Sequence, residues 1–236
     1  MYREYVRWFS PSLGRDMEFL WFGKFGRPVI LFPTSAGRFF ENEDFHLADS
    51  LEDKVDAGEI QLVLVDTVNN ESWYNKNVHP AVRAARHVQY DSYLRNELVP
   101  YIFNRAQRGD LAVYGASFGA YHASNFAARY PDIVNRAILF SGVYDIYSAV
   151  DGYWDDNCYF NCPTAYFPNM PQNEVDRMRH IGWVIATGEH DHLVGENRWF
   201  AEMLRGKGLD VHSEFWAGQF GHDWPYWRDN LRRFVP

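Results

Sequence analysis

Three residues of the sequence are of the types that together can make a serine hydroxyl reactive. Ser117 lies in Tyr114-Gly115-Ala116-Ser117-Phe118-Gly119-Ala120, a Gly-x-Ser-x-Gly pattern. The apolar run Asp110-Leu111-Ala112-Val113 precedes it, and the Ala-rich stretch Ala123 to Tyr130 follows. Strand, tight turn and helix in that order would set Ser117 at the apex of a nucleophile elbow, with its hydroxyl lifted clear of the sheet edge. Gly115 and Gly119 fit because the strand and helix backbones would pass too close for side chains. Three fixed positions at roughly 7% each leave about a 0.1 chance of one accidental match in a chain this long. The motif therefore needs partners. A serine hydroxyl is a poor nucleophile at neutral pH without a base in hydrogen-bond reach, and the base needs an orienting acceptor.

Both partners are available in later loops. The apolar run Trp183 to Thr187 is followed by Gly188-Glu189-His190-Asp191-His192-Leu193-Val194. Asp191 is the expected orienting acid, with Glu189 as its competitor. The last expected strand is followed by Ala217-Gly218-Gln219-Phe220-Gly221-His222-Asp223-Trp224-Pro225. His222 is the expected base, and the chain order Ser, Asp, His is that of an α/β hydrolase. Asp223 and Pro225 suit the cap and first turn of a closing helix. His46, His79, His87, His122, His180 and His212 lack such a setting. Glu189, His190, Asp191 and His192 are all metal-ligand types. Consecutive loop residues cannot all converge on one ion, however, so neither a metal nor any other cofactor is assigned. The oxyanion of an acyl-transfer intermediate would be held by two backbone N–H groups. One is that of Phe118. The other comes from the loop after residues 28–33, where Ser35 is preferred over its neighbours Thr34 and Ala36.

The elements that must position these groups can be read from periodicity. Residues 2–9 alternate apolar and polar and pair with Met17 to Phe22 as an N-terminal antiparallel hairpin. Continuous apolar runs at 28–33, 60–65, 111–114, 135–140 and 183–187 suit strands buried on both faces, and 211–216 is a final strand. Helical patterns cover 45–55, 80–108 with a kink or restart at Pro100, 197–205 and 224–234. Strands alternating with helices from residue 28 onward predict a mostly parallel sheet with helices on both faces, and strand-to-helix loops along one edge. The expectation is one α/β domain over 1–236, with an irregular loop insertion around 143–180.

Composition narrows the function. The 236 residues carry a formal net charge of -8, and their Lys and Arg are scattered. That pattern argues against a nucleic-acid surface. Hydrophobic residues make up 47%, enough for a substantial core, yet no stretch approaches a membrane span. With no signal-like segment, the expected location is cytoplasmic, where Cys158 and Cys162 would be free thiols. A homo-oligomer is compatible with the sequence. Trp73, Tyr74, Tyr144, Tyr147, Tyr153 and Trp154 fall in loops and are expected to line an aromatic or acyl pocket.

Gly115-Ala116-Ser117-Phe118-Gly119, the Gly188-to-Asp191 loop and Gly221-His222-Asp223-Trp224 occur together in this order. In this the chain resembles the Putative esterase family, which includes esterase D, the enterochelin esterases, feruloyl esterases and the antigen 85 mycolyltransferases. The resemblance spans nearly the whole chain, and Gly-His-Asp-Trp with Trp227 and Arg228 is its most specific part. It implies an α/β-hydrolase fold and a Ser-His-Asp triad of Ser117, His222 and Asp191. Thr34-Ser35 stands where the family carries its second oxyanion donor, in place of a Gly-Leu-like pair. The ending differs from that of S-formylglutathione hydrolase, so that substrate is not assigned. The function expected is a serine carboxylesterase acting on a small or aromatic ester through an acyl-enzyme. An acyltransferase with the same triad is the alternative, and a non-catalytic binding module on the same fold is a further one.

Overall fold

A computed structural model of the chain describes residues 1–218 and 221–236. Its centre is an eight-stranded sheet. The strands are β1 (Arg3–Ser10), β2 (Arg15–Phe22), β3 (Arg27–Phe32), β4 (Ile60–Val65), β5 (Leu111–Ala116), β6 (Val134–Phe140), β7 (Gly182–Gly188) and β8 (Val211–Trp216). They lie in the order β1-β2-β4-β3-β5-β6-β7-β8. β1 pairs antiparallel with β2, and β2 antiparallel with β4; every other pairing is parallel. This is the α/β-hydrolase fold, with the hairpin at one edge as the sequence implied.

The apolar runs became interior strands because helices cover both sides. Along β5, Leu111 and Val113 join one core, and Ala112, Tyr114 and Ala116 the other. The first core takes Tyr90, Phe126 and Phe200 from three helices, and the second takes Trp227 and Leu231 from the last. The long helical region breaks at Pro100 as expected, and the break has a defined form. An α-helix over Pro80–Tyr93 runs into a π-helical turn over Leu94–Leu98, and Val99–Ala106 resumes the α-helix. Pro100 has no N–H for the carbonyl one turn back, and the wider turn absorbs that interruption.

Two segments differ from expectation. The stretch after β6 is mostly short helices, over Tyr147–Ala149, Asp156–Tyr159, Pro163–Asn169 and Gln172–Arg177. Each is only three to seven residues long, too short to show a helical periodicity in the sequence. Trp73 and Tyr144 are not pocket walls but core residues. The Trp73 indole N–H donates to the Tyr121 hydroxyl at 3.0 Å, and Tyr144 stacks on Phe200 at 3.8 Å. Cys158 and Cys162 are free and buried.

The elbow depends on two absent side chains. A Cβ on Gly115 would sit 2.0 Å from the carbonyl carbon and oxygen of Gly119, and one on Gly119 would sit 2.7 Å from the Pro33 oxygen. Backbone cannot yield there as a side chain would. Gly115→Ala should therefore cost more than the roughly 1–3 kcal/mol typical of overpacking. Urea unfolding of the variant against the parent protein measures this, and a loss below 1 kcal/mol would contradict the close approach.

Candidate active site

The parallel register brings the carboxyl ends of β3, β5, β6 and β7 side by side, and the predicted residues lie on that edge. Ser117 follows β5 and opens the helix Phe118–Arg129. Its φ of 57° and ψ of −124° are uncommon for a residue with a side chain. Three hydrogen bonds pin this conformation. The Ser117 N–H donates to the Phe140 carbonyl at 2.9 Å, and the Ser117 carbonyl accepts from Ala120 at 3.1 Å and Val143 at 3.2 Å. The side chain is nearly buried, in keeping with a hydroxyl at the floor of a cleft.

Asp191 lies three residues beyond β7 and its side chain is fully buried. Nδ1 of His222 approaches Oδ2 at 3.0 Å and Oδ1 at 3.2 Å. The Thr187 hydroxyl donates to Oδ2 at 3.0 Å, and the Leu193 N–H to Oδ1 at 2.8 Å. Burial works to raise the pKa of Asp191. Hydrogen bonds from His222, Ser141 and Leu193 outweigh it and hold the carboxyl well below its ordinary value. An ionised carboxylate only accepts, so Nδ1 of His222 carries the proton and Nε2 bears the lone pair. The competitor Glu189 points elsewhere, 3.7 Å from Arg198.

His222 sits between β8 and the helix Trp224–Leu231, where Asp223 caps the helix through the Trp224 N–H at 2.8 Å. Gln219 and Phe220 of the same loop lie outside the described residues. Trp227 stands edge-on to the His222 ring, with centroids 5.0 Å apart at 90°. Its indole N–H donates to the Ser141 hydroxyl at 2.9 Å, and Ser141 pairs with Thr187 at 3.1 Å. Thr187 and Ser141 therefore brace the Asp191 carboxylate from behind. Sequence reasoning missed them because a hydroxyl at a strand end carries no signal of its own; only the chain bends afterwards, with Ser141 at φ 47°.

Ser35 lies in a turn closed by the Gly37 N–H on the Thr34 carbonyl at 3.1 Å, with Ala36 at φ 57°. The Thr34 N–H is occupied by Glu41 at 2.7 Å, which removes Thr34 as a donor to anything else. The Ser35 hydroxyl pairs with that of Tyr74 at 3.0 Å, and the Tyr74 ring packs on Phe118 at 5.0 Å. Burial, opposed by the Ser35 bond, pushes the Tyr74 pKa up to about 12, so the phenol stays neutral. Phe118 is the first residue of its helix, and its N–H has no intrahelical acceptor. His122, on this helix, and His87, on the helix Pro80–Tyr93, are both buried. Burial lowers the His122 pKa to about 3, and burial lowers that of His87 as well, so both stay neutral. Of the expected aromatic wall, Tyr147 and Trp154 stack at 5.3 Å and are both exposed.

A buried carboxylate bound to an imidazole, on the same sheet edge as a strained serine at a helix start, is an arrangement suited to acyl transfer. A family model described as "Putative esterase" matches residues 10–236. The chain belongs to that family. It is accordingly a carboxylic ester hydrolase. No curated protein sequence matches this esterase. Solved structures share its fold. A ferulic acid esterase aligns with a TM-score of 0.78 at 19% identity, covering 98% of this chain and 95% of that one. A fluorophosphonate-binding serine hydrolase of Staphylococcus aureus gives 0.75 at 16% identity, over 98% and 96%. MPT51 of Mycobacterium tuberculosis gives 0.70 at 20%, over 99% and 96%. Among the described residues, no helix of the esterase is long and apolar enough to cross a membrane.

Proposed function

We propose that the esterase is a serine carboxylesterase using Ser117, His222 and Asp191. The observation that carries this reading is the pair of contacts from His222 Nδ1 to the buried Asp191 carboxylate. They hold the imidazole in the tautomer whose Nε2 can accept a proton. Ser117 Oγ attacks the ester carbonyl as its proton passes to Nε2. The oxyanion is held by the N–H groups of Phe118 and Ser35, and the occupied Thr34 N–H supports Ser35 over its neighbour. Each such donor contributes about 3 kcal/mol to transition-state stabilisation. His222 then protonates the leaving alcohol. Water, deprotonated by the same nitrogen, releases the acid and frees Ser117.

The acyl group is proposed to be small or aromatic. Tyr74, packed on Phe118 beside the elbow, and the exposed Tyr147–Trp154 stack offer ring faces on that edge of the sheet. A fluorophosphonate should form one adduct per chain, and peptide mapping should find it on Ser117. An adduct on any other residue would remove the proposed nucleophile.

A further inference from the structure

The loop after β7 carries two histidines that the proposed hydrolysis leaves unused, His190 and His192. His192 follows Asp191, its side chain is 70% exposed, and its Nδ1 lies 3.6 Å from Asp191 Oδ1. Its ring is 4.8 Å from that of His222, tilted by 53°. One donor atom from each of Asp191, His192 and His222 lies within 4.8 Å of the others. The sequence had suggested metal-ligand types in one loop, where neighbouring side chains diverge. The structure draws its third ligand from a different loop, the one after β8.

We propose that Asp191, His192 and His222 form an inhibitory site for a divalent transition-metal ion of the zinc class. Tetrahedral zinc with bonds of about 2.0 Å to nitrogen and oxygen spaces its ligand atoms about 3.3 Å apart. Two edges of such a tetrahedron are already present, at 3.2 Å from Oδ1 of Asp191 to Nδ1 of His222 and 3.6 Å from Oδ1 to Nδ1 of His192. The third edge, between the imidazoles, closes by rotation of the exposed His192 side chain. Oxygen and imidazole nitrogen suit Zn²⁺ and Cu²⁺, and two imidazoles disfavour Mg²⁺ and Ca²⁺. Oδ2 of Asp191 keeps its bond from Thr187, so the carboxylate need not move. Solvent reaches the ion past His192 and fills its fourth position.

The consequence for hydrolysis follows from proton placement. In the resting imidazole the single proton sits on Nδ1 and faces Asp191. Coordination uses the Nδ1 lone pair, so that proton relocates to Nε2 through solvent and no net charge is lost from the ring. Nε2–H cannot accept the proton of Ser117, and the base is switched off with only the exposed His192 side chain rotated. Removing the ion with a chelator reverses the transfer. This inference rests on His222 being the base, and the test separates the two.

The chelator-treated protein is titrated with ZnCl₂, following heat by calorimetry and p-nitrophenyl ester hydrolysis in parallel. One ion should bind per chain, activity should fall with the same midpoint, and EDTA should restore it. His192→Ala, and His192→Phe which keeps a ring against His222, should hydrolyse the ester within about twofold of the parent protein. Losing an outer partner of a metal site costs about 10–100-fold in affinity, and a direct ligand costs at least as much. Both variants should therefore need at least that much more zinc for binding and inhibition. Ser117→Ala removes no ligand and should bind zinc with parent affinity while inactive. Absence of zinc binding by the parent protein, or equal zinc sensitivity in both His192 variants, would overturn the proposal. If Ser117→Ala stayed active while the His192 variants lost zinc, the metal site would stand and the catalytic reading would fall.

Discussion

Ser117→Ala is expected to lower kcat for a short p-nitrophenyl ester by about 10⁶-fold, the loss typical when the nucleophile of such a site is removed. The hydroxyl is the only atom changed, and the three backbone bonds that fix the turn remain. The melting temperature should therefore move little. Ser117→Gly sharpens the test. It also lacks the hydroxyl, but glycine adopts the φ of 57° without steric cost. A non-glycine residue held in a sparsely populated backbone region costs on the order of 1–3 kcal/mol. Ser117→Gly should be as inactive as Ser117→Ala and melt at a higher temperature. Retained hydrolysis in either variant would remove Ser117 as nucleophile. A lower melting temperature for the glycine variant would remove the strain.

Asp191→Asn should lower kcat by up to about 10⁴-fold with the fold intact. The amide oxygen can still accept from Thr187 or Leu193, which keeps the loop tied. What is lost is a pure acceptor facing Nδ1 of His222. An amide NH₂ placed there presents a hydrogen to Nδ1 and favours the tautomer protonated at Nε2, which cannot act as base. The matched control is Glu189→Gln. Glu189 is half exposed and faces Arg198, so its neutralisation should change kcat by less than about twofold, as for most surface charges. Single-turnover kinetics on both variants decide the matter. A small effect at Asp191 with a large one at Glu189 would reassign the acid.

What could be read from the sequence followed the strength of local signals. Ile60–Val65 and Val211–Trp216 were bounded to the residue, the first because its apolar stretch ends at Asp66 and the second because the small residues Ala217 and Gly218 follow it. The helix after the elbow begins at Phe118, several residues before the Ala-rich stretch that announced it. Its first turn carries Gly119 for backbone clearance, and a helix-breaking residue type hid the start. Asp191 and His222 were legible because their loops follow recognisable strands in a fixed order. Their contact was not, since the two lie 31 residues apart and meet only through the pairing of β7 with β8. The burial of Trp73 and Tyr144 was equally invisible. Aromatic side chains in loops have no periodicity to tell the core side from the solvent side, and here Tyr121 and Phe200 claimed them.

The strand order also sets a schedule. β5, which carries Ser117 at its end, is an interior strand, with β3 already made when it emerges during synthesis. β8, which precedes His222, is the outermost parallel strand and among the last segments made. At about 5–20 residues per second, the ribosome adds the roughly hundred residues between Ser117 and His222 in about 5–20 s. Throughout that interval the nascent chain carries Ser117 without His222. In the proposed mechanism the serine would gain its base only once the final strand had docked on the open edge of the sheet.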